Sequence, residues 1–325
     1  MPRRWAIFGL VVAVGECVAA LQTAHAHETW FVRKGEHAGE YFSMDVTNLL
    51  VILGATVFAL SAFAIHRTGW FGNTAALFEK AERLLPSRIQ WRTVAILSGI
   101  TLIANSITGV FLAPDFVLPS NGLVVLGSVI QMTIGVLLVS QISFSLAGAL
   151  IVVAAIPLAG IYAPGSFLID HIVHNLALAL AFVFVGLSAG YPDKLAHLPL
   201  PIIRVGLGLT LILLSIHHKL FDPNIALTFL DKYALNFMPL LGFSGFTNLH
   251  FVFAAGVAEV TLGFLLLTGI ATRFVAAGLA VFLFATLIVL GPVELVGHLP
   301  LIGIALLLVC HGSGSPRVAS LAWRP

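Results

Sequence analysis

Apolar residues in this chain run in long unbroken blocks separated by short polar segments, without the alternation of a strand or the narrow stripe of a surface helix. A stretch of about 17 to 25 apolar residues crosses a bilayer as one helix. Nine blocks of that kind follow one another at 46–66, 93–113, 122–140, 144–162, 171–189, 202–219, 248–268, 273–291 and 294–311. A further apolar run at 5–21 follows a short basic start and precedes Ala24-His25-Ala26, with small residues at the two positions a signal peptidase reads. Cleavage after Ala26 is expected; retention as an uncleaved signal anchor is the competing reading. Between the first two spans, Ala75, Leu77, Phe78, Ala81, Leu84 and Leu85 alternate at helical spacing with Glu79, Lys80, Glu82 and Arg83. That segment is expected to lie along the inner membrane surface.

Nine spans place the ends on opposite sides. With the mature N-terminus outside, the cytoplasmic segments hold Arg67, Lys80, Arg83, Arg88, Arg92, Lys194, Arg204, Arg273, Arg317 and Arg324, whereas the outer ones hold Arg33, Lys34, Lys219 and Lys232. This distribution obeys the positive-inside rule. It predicts a bacterial-type inner-membrane protein with a periplasmic N-terminus and a cytoplasmic C-terminus.

Composition narrows the class further. Of 325 residues 59% are apolar and 9% charged, far below the roughly one quarter charged in soluble domains. The 30 glycines suit helices that approach closely in lipid. A net charge of +2, with its basic residues dispersed, excludes a nucleic-acid-binding stripe. Two cysteines, Cys17 and Cys310, build neither a disulfide framework nor a cysteine metal site.

Two four-helix blocks, 92–190 and 201–311, can be laid over each other. Gly99, Thr101-Leu102-Ile103, Ser106-Ile107 and Pro114 match Gly208, Thr210-Leu211-Ile212, Ser215-Ile216 and Pro223. Gln131 and Gly135 match Glu259 and Gly263, and Asp170 and His174 match Glu294 and His298. Both blocks start on the same side, so the expected fold is all-α: two parallel four-helix repeats about an axis along the membrane normal, plus the extra span and loop at 46–91. Residues 1–26, 27–45 and 312–325 are read as signal peptide, periplasmic tail and cytoplasmic tail.

Polar residues inside lipid carry the chemical information, because an ionisable group at mid-membrane costs roughly 2.5 to 3.5 kcal/mol even on insertion scales. Glu259 lies about eleven residues into its span, near mid-membrane at ~1.5 Å per residue. It is a candidate proton carrier, and equally a protonated group bonded to a neighbouring helix. Asp170 with His174, and Glu294 with His298, each sit at i, i+4 spacing, so each acid lies over its histidine. Such pairs pass protons or orient an imidazole for a metal. His217, His218, Lys219, Asp222 and His250 fall near them in topology. The mature N-terminus offers the amine and imidazole of His27, with His37, as a copper site.

The second block also resembles a known family. Ser215-Ile216-His217-His218-Lys219-Leu220-Phe221, followed by Ala255-Gly256-Val257-Ala258-Glu259-Val260-Thr261-Leu262-Gly263 and Arg273, is similar to the DoxX/DoxD-like four-helix membrane proteins. That family closes its first helix with a lysine and follows it with a glutamate, a glycine-leucine run and an arginine at the turn. Lys219, Glu259, Gly263 and Arg273 fit; the first block has Val110 and Gln131 in place of the lysine and glutamate. The resemblance implies a quinone-linked redox or maturation subunit working with a periplasmic or membrane redox partner, in which Glu259, Glu294 and His298 relay protons while His217, His218, Lys219, Asp170 and His174 line the quinone site. A carrier for a small solute or metal ion, using the outer histidines for entry, and an assembly protein without chemistry are the alternatives.

Overall fold

A computed structural model describes residues 40–68, 70, 87–113, 116–163, 165, 171–290 and 292–313, with the backbone alone at 87–89, 289–290 and 292–295. The signal segment, His27, His37, the amphipathic stretch at 75–85, Asp170 and the C-terminal tail lie outside the described residues. Ten helices make up most of the described chain, and no strand occurs among these residues. They are α1 (Val46–Arg67), α2 (Ser87–Thr108), α3 (Asn121–Ser140), α4 (Phe144–Tyr162), α5 (Val173–Leu187), α6 (Pro199–Ser215, extended by a π turn Ile216–Phe221), α7 (Asn224–Tyr233), α8 (Asn248–Thr268), α9 (Thr272–Leu290) and α10 (Pro292–His311). Five meet the length and apolarity needed to cross a membrane: α1, α3, α4, α8 and the stretch Pro192–Phe221 that contains α6. Val173–Leu187, Thr272–Ile288 and Val296–His311 are shorter apolar helices. The chain is an integral membrane protein.

Helix starts follow local chemistry. Ser120, Ser143 and Thr247 accept from the backbone N–H groups of Leu123, Leu146 and His250, satisfying donors that have no partner within a helix. At the opposite ends, Arg204 donates to the Leu267 carbonyl at 2.8 Å and Arg273 to the Cys310 carbonyl at 3.0 Å. Both guanidiniums therefore meet the negative ends of α8 and α10.

The helices close into a ring. Consecutive helices α2 to α5 pack in order, α5 packs on α6, α6 on α8, α8 on α9, α9 on α10, and α10 returns to α2. Small residues make the close contacts. A Cβ placed on Gly99 would lie 2.8 Å from the Gly135 carbonyl oxygen, and one on Gly208 the same distance from that of Gly263. In each crossing a Cβ on the second glycine would also lie 2.7 Å from an isoleucine Cγ1, that of Ile103 in one and Ile212 in the other. Helices in lipid gain little from hydrophobicity against one another, so van der Waals contact between close backbones supplies the attraction.

Pro300 interrupts α10. It has no N–H to offer the Val296 carbonyl four residues earlier, and Thr101 of α2 donates its hydroxyl to that carbonyl at 2.7 Å. The seam that closes the ring thus repairs a broken helix bond.

Helix α1 stands outside the ring, packed against α8, with only Asn48 and Ala62 buried. Asp45 anchors it. Its carboxylate accepts from the Asn48 N–H at 2.9 Å and meets His250 Nε2 at 2.9 Å. The Thr247 N–H donates to His250 Nδ1 at 3.2 Å, which leaves the ring proton on Nε2, facing Asp45. The backbone bond to Asn48, followed by the bond to His250, holds the Asp45 carboxyl at about 2, below its ordinary 3.8.

Two outcomes follow. Gly208→Ala and Gly135→Ala are expected to destabilise the fold by about 1–3 kcal/mol through overpacking against backbone. Gly278→Ala, where a Cβ meets nothing within 4 Å, should gain up to about 1 kcal/mol in helix propensity; thermal unfolding in detergent measures all three, and equal tolerance would show that the crossings are loose. Because the Asp45 carboxyl is depressed, its contribution is complete above about pH 4 and fades as pH falls toward 2. Spin-label distances between α1 and α8 should therefore stay constant from pH 7 to pH 4, and lengthen in Asp45→Asn at every pH.

Candidate functional site

A membrane ion pair marks the second half of the chain. Helix α6 does not end at Ser215; it widens into a π turn, Ile216–Phe221, containing His217, His218 and Lys219. π turns add a residue per turn and swing side chains away from α-helical positions. Here Lys219 Nζ lies 3.2 Å from Glu259 Oε2 of α8, and Ser215 Oγ donates to the same carboxylate oxygen. Both charged side chains are largely covered, at 17% and 22% exposure. A carboxylate at this depth is tolerated because a cation and a hydroxyl share it. Gly256 permits the approach, since a Cβ there would sit 3.1 Å from Lys219 Cβ.

His217 and His218 cross edge to face with ring centroids 4.5 Å apart, Nδ1 of the first 3.3 Å from Nε2 of the second. Both are half-buried. They precede Lys219 on the same π turn.

The matching position in the first half is occupied differently. Gln131 is fully buried; its Nε2 donates to the Val110 carbonyl at 2.8 Å, and its Oε1 accepts from the Leu112 N–H at 2.6 Å. Val110 is the residue aligned with Lys219, so Gln131 and Glu259 each bind the end of the preceding helix at the same aligned residue. In the first half the partner is backbone. Leu112 has a φ of 61°, uncommon for a branched residue, and the Gln131 amide fixes the strained loop. Phe111, Leu112, Ala113, Phe116 and Leu118 of this loop are buried, where unbonded backbone polar groups cost several kcal/mol.

His298 and His174 meet elsewhere. Together with His171, Asn175, Ser98 and Thr101 they line a cavity of about 60 Å³ between α2, α5 and α10, which Leu112 and Ala113 also line. Glu259 is not among its walls. Glu294 belongs to α10, one turn before His298, and its side chain lies outside the described residues; Asp170 is likewise outside. Among the described residues no group of three or more His, Cys, Asp or Glu side chains is arranged to hold a metal ion.

An open apolar groove of about 450 Å³ runs between α1 and α8, walled by residues that include Gly54, Phe58, Ala254, Ala258 and Thr261. The groove and the ion pair share helix α8, but Ser215, Lys219 and Glu259 are not among the groove's walls.

Sequence reasoning missed Ser215, His171, Asn175 and Ser98. Ser215 carried a usable signal, four residues before Lys219 and hence on the same face; His171 stood three residues before His174.

The family model DoxX matches residues 200–292, the stretch that holds Lys219, Glu259, Gly263 and Arg273, so this part of the chain is similar to that family. Searches of curated proteins and of solved structures find no match to the chain.

Removing the Gln131 amide should strand one N–H and one C=O inside the fold, at about 1–3 kcal/mol per group. Gln131→Leu is therefore expected to lower thermal stability and raise protease cleavage between residues 109 and 118. Unchanged stability and cleavage would show that the loop holds itself.

Proposed function

We propose that this protein, similar to the DoxX family over residues 200–292, is a membrane subunit with a quinone-linked redox or maturation role, acting at the Ser215–Lys219–Glu259 site. The observation that carries this reading is a largely covered Lys219–Glu259 ion pair within the stretch that the DoxX model matches, on the same helix, α8, that walls an apolar groove. At about 450 Å³ the groove falls within the size range of small-molecule pockets, about 300–1,000 Å³, and it opens where a lipid-soluble ring compound would arrive. The ion pair supplies what quinone chemistry needs from a protein, a proton held at a fixed depth and released when its partner moves. Lys219 and Glu259 hold that proton; Ser215 orients the carboxylate. Quinone, when bound, supplies the electron chemistry.

The finer architecture belongs to the same proposal. Nine spans, a periplasmic mature N-terminus, a cytoplasmic C-terminus in a bacterial-type inner membrane and an origin in two parallel repeats are supported by the basic-residue distribution. The two equivalent glycine crossings and the matched anchoring by Gln131 and Glu259 also support duplication. The first block then serves as scaffold, because its glutamine cannot titrate. On this reading a periplasmic-side or membrane redox partner completes the electron path. His298 and Glu294 belong to a relay only if water or a conformational change links them to Glu259. A carrier function rests on the histidine cavity alone.

The test compares two substitutions. Glu259→Gln keeps a hydrogen-bonding amide and removes the proton, so it should retain folded yield and lose more than about tenfold in quinol-linked turnover, in line with general acid–base contributions of 10²–10⁴. Glu259→Leu should also lower stability by taking the carboxylate from Lys219 and Ser215. Wild-type turnover in the Gln variant, or absence of extractable quinone from purified wild-type protein, ends this reading.

A further inference from the structure

The cavity walled by Ser98, Thr101, His171, His174, Asn175 and His298 does not belong to the ion-pair site, and its contents follow from its size and chemistry. At about 60 Å³ it is well under the ~150 Å³ of an engineered cavity that binds benzene. A ring compound is excluded without rearrangement. One water needs about 10–15 Å³ on this measure, so a few waters fit.

The walls require them. Ser98 is 2% exposed and its hydroxyl has no hydrogen-bond partner. A buried hydroxyl left that way costs about 1–3 kcal/mol, and the usual explanation is a bound water or ion. Thr101 spends its proton on the Val296 carbonyl, leaving its oxygen lone pairs as acceptors. Asn175 Nδ2 donates to the His171 carbonyl at 2.8 Å and stands 3.3 Å from His174 Nε2. The His171 and His174 rings lie edge to face, 5.8 Å between centroids. His298 reaches the same space from α10, the last helix, and is 7% exposed.

Three imidazoles from two distant parts of the chain therefore line one small volume. The ionisable groups around it are countable by element. The turn before α5 contributes His171, α5 contributes His174, and α10 contributes His298. Helices α2, α3 and α4 and the 110–113 loop contribute no ionisable side chain to the described lining. Asp170 and Glu294, four residues before His174 and His298, have side chains outside the described residues.

We propose that this cavity is a solvated proton-binding site, in which a few ordered waters join His171, His174 and His298 into one hydrogen-bonded group that takes up and releases protons as a unit. Histidine is the side chain whose ordinary titration falls near neutral pH, and imidazoles sharing water in a low-dielectric enclosure titrate as a coupled set rather than independently. Proton uptake here is reversible and needs no redox partner. The site stands apart from the Ser215–Lys219–Glu259 reading and survives its failure.

The experiment uses the full chain in lipid nanodiscs. Magnetisation transfer from water to the ring protons of His171, His174 and His298 is read by solid-state NMR in the folded protein. Transfer to all three rings is expected; none would mean a dry cavity and overturn the proposal. Histidine ¹⁵N resonances are then followed against pH. His298→Gln should remove one titrating ring and move the midpoints of both His171 and His174, and His174→Gln should reciprocally move His298. If either variant leaves the remaining midpoints where they were, the imidazoles are independent and the shared site is disproved. Should His298→Gln fail to fold, His174→Gln alone decides the coupling.

Discussion

Close contact between backbones at glycine, Gly99 on Gly135 and Gly208 on Gly263, sets the spacing on which the polar features depend. Because lipid gives helices no hydrophobic reason to associate, α2 with α3 and α6 with α8 must fit closely or separate. With α6 and α8 at that spacing, the Glu259 carboxylate reaches Ser215 and Lys219. With α2 and α3 at theirs, Gln131 reaches the turn after α2. A larger residue at either crossing would move the polar groups beyond bonding distance before any of them was changed.

The two halves show one geometry supporting two chemistries. Glutamine in the first half bonds to main chain and fixes a buried loop; glutamate in the second bonds to a lysine and a serine hydroxyl. The loop that Gln131 holds also lines the histidine cavity through Leu112 and Ala113, so the first half shapes a polar chamber even though it lacks the ion pair.

Much of this was legible in the sequence. Apolar block length gave the helices within a few residues, because a bilayer imposes a length on them that tertiary packing does not override. The span predicted at 93–113 starts earlier and stops at Thr108, since Gly109 and the strained Leu112 turn the chain inward. Helix α7 was not anticipated, for its buried Ile225, Ala226, Leu227 and Leu230 lie in a stretch too short for a span. Glu259 stood out by depth and Lys219 by its place at a helix end. Their pairing did not, because the π turn that brings Lys219 onto Glu259 leaves no mark in a pattern of residue types. His174 and His298 were noticed as members of acid-histidine pairs along single helices. Their meeting depends on how α5 and α10 are placed around α2, which spacing along one helix cannot reveal.

The circular order of helices has a consequence for how the chain is made. Helix α2 finishes its packing only when α10 arrives, some two hundred residues later in synthesis, and until then the seam that will receive Pro300 and Val296 faces lipid with Thr101 on it. Its hydroxyl must meanwhile bond back to the Leu97 carbonyl of its own helix, a contact it keeps at 3.3 Å in the finished protein. A chain whose translation stopped before α10 would leave the α2 edge of the ring open, with no Val296 carbonyl for the Thr101 hydroxyl to meet.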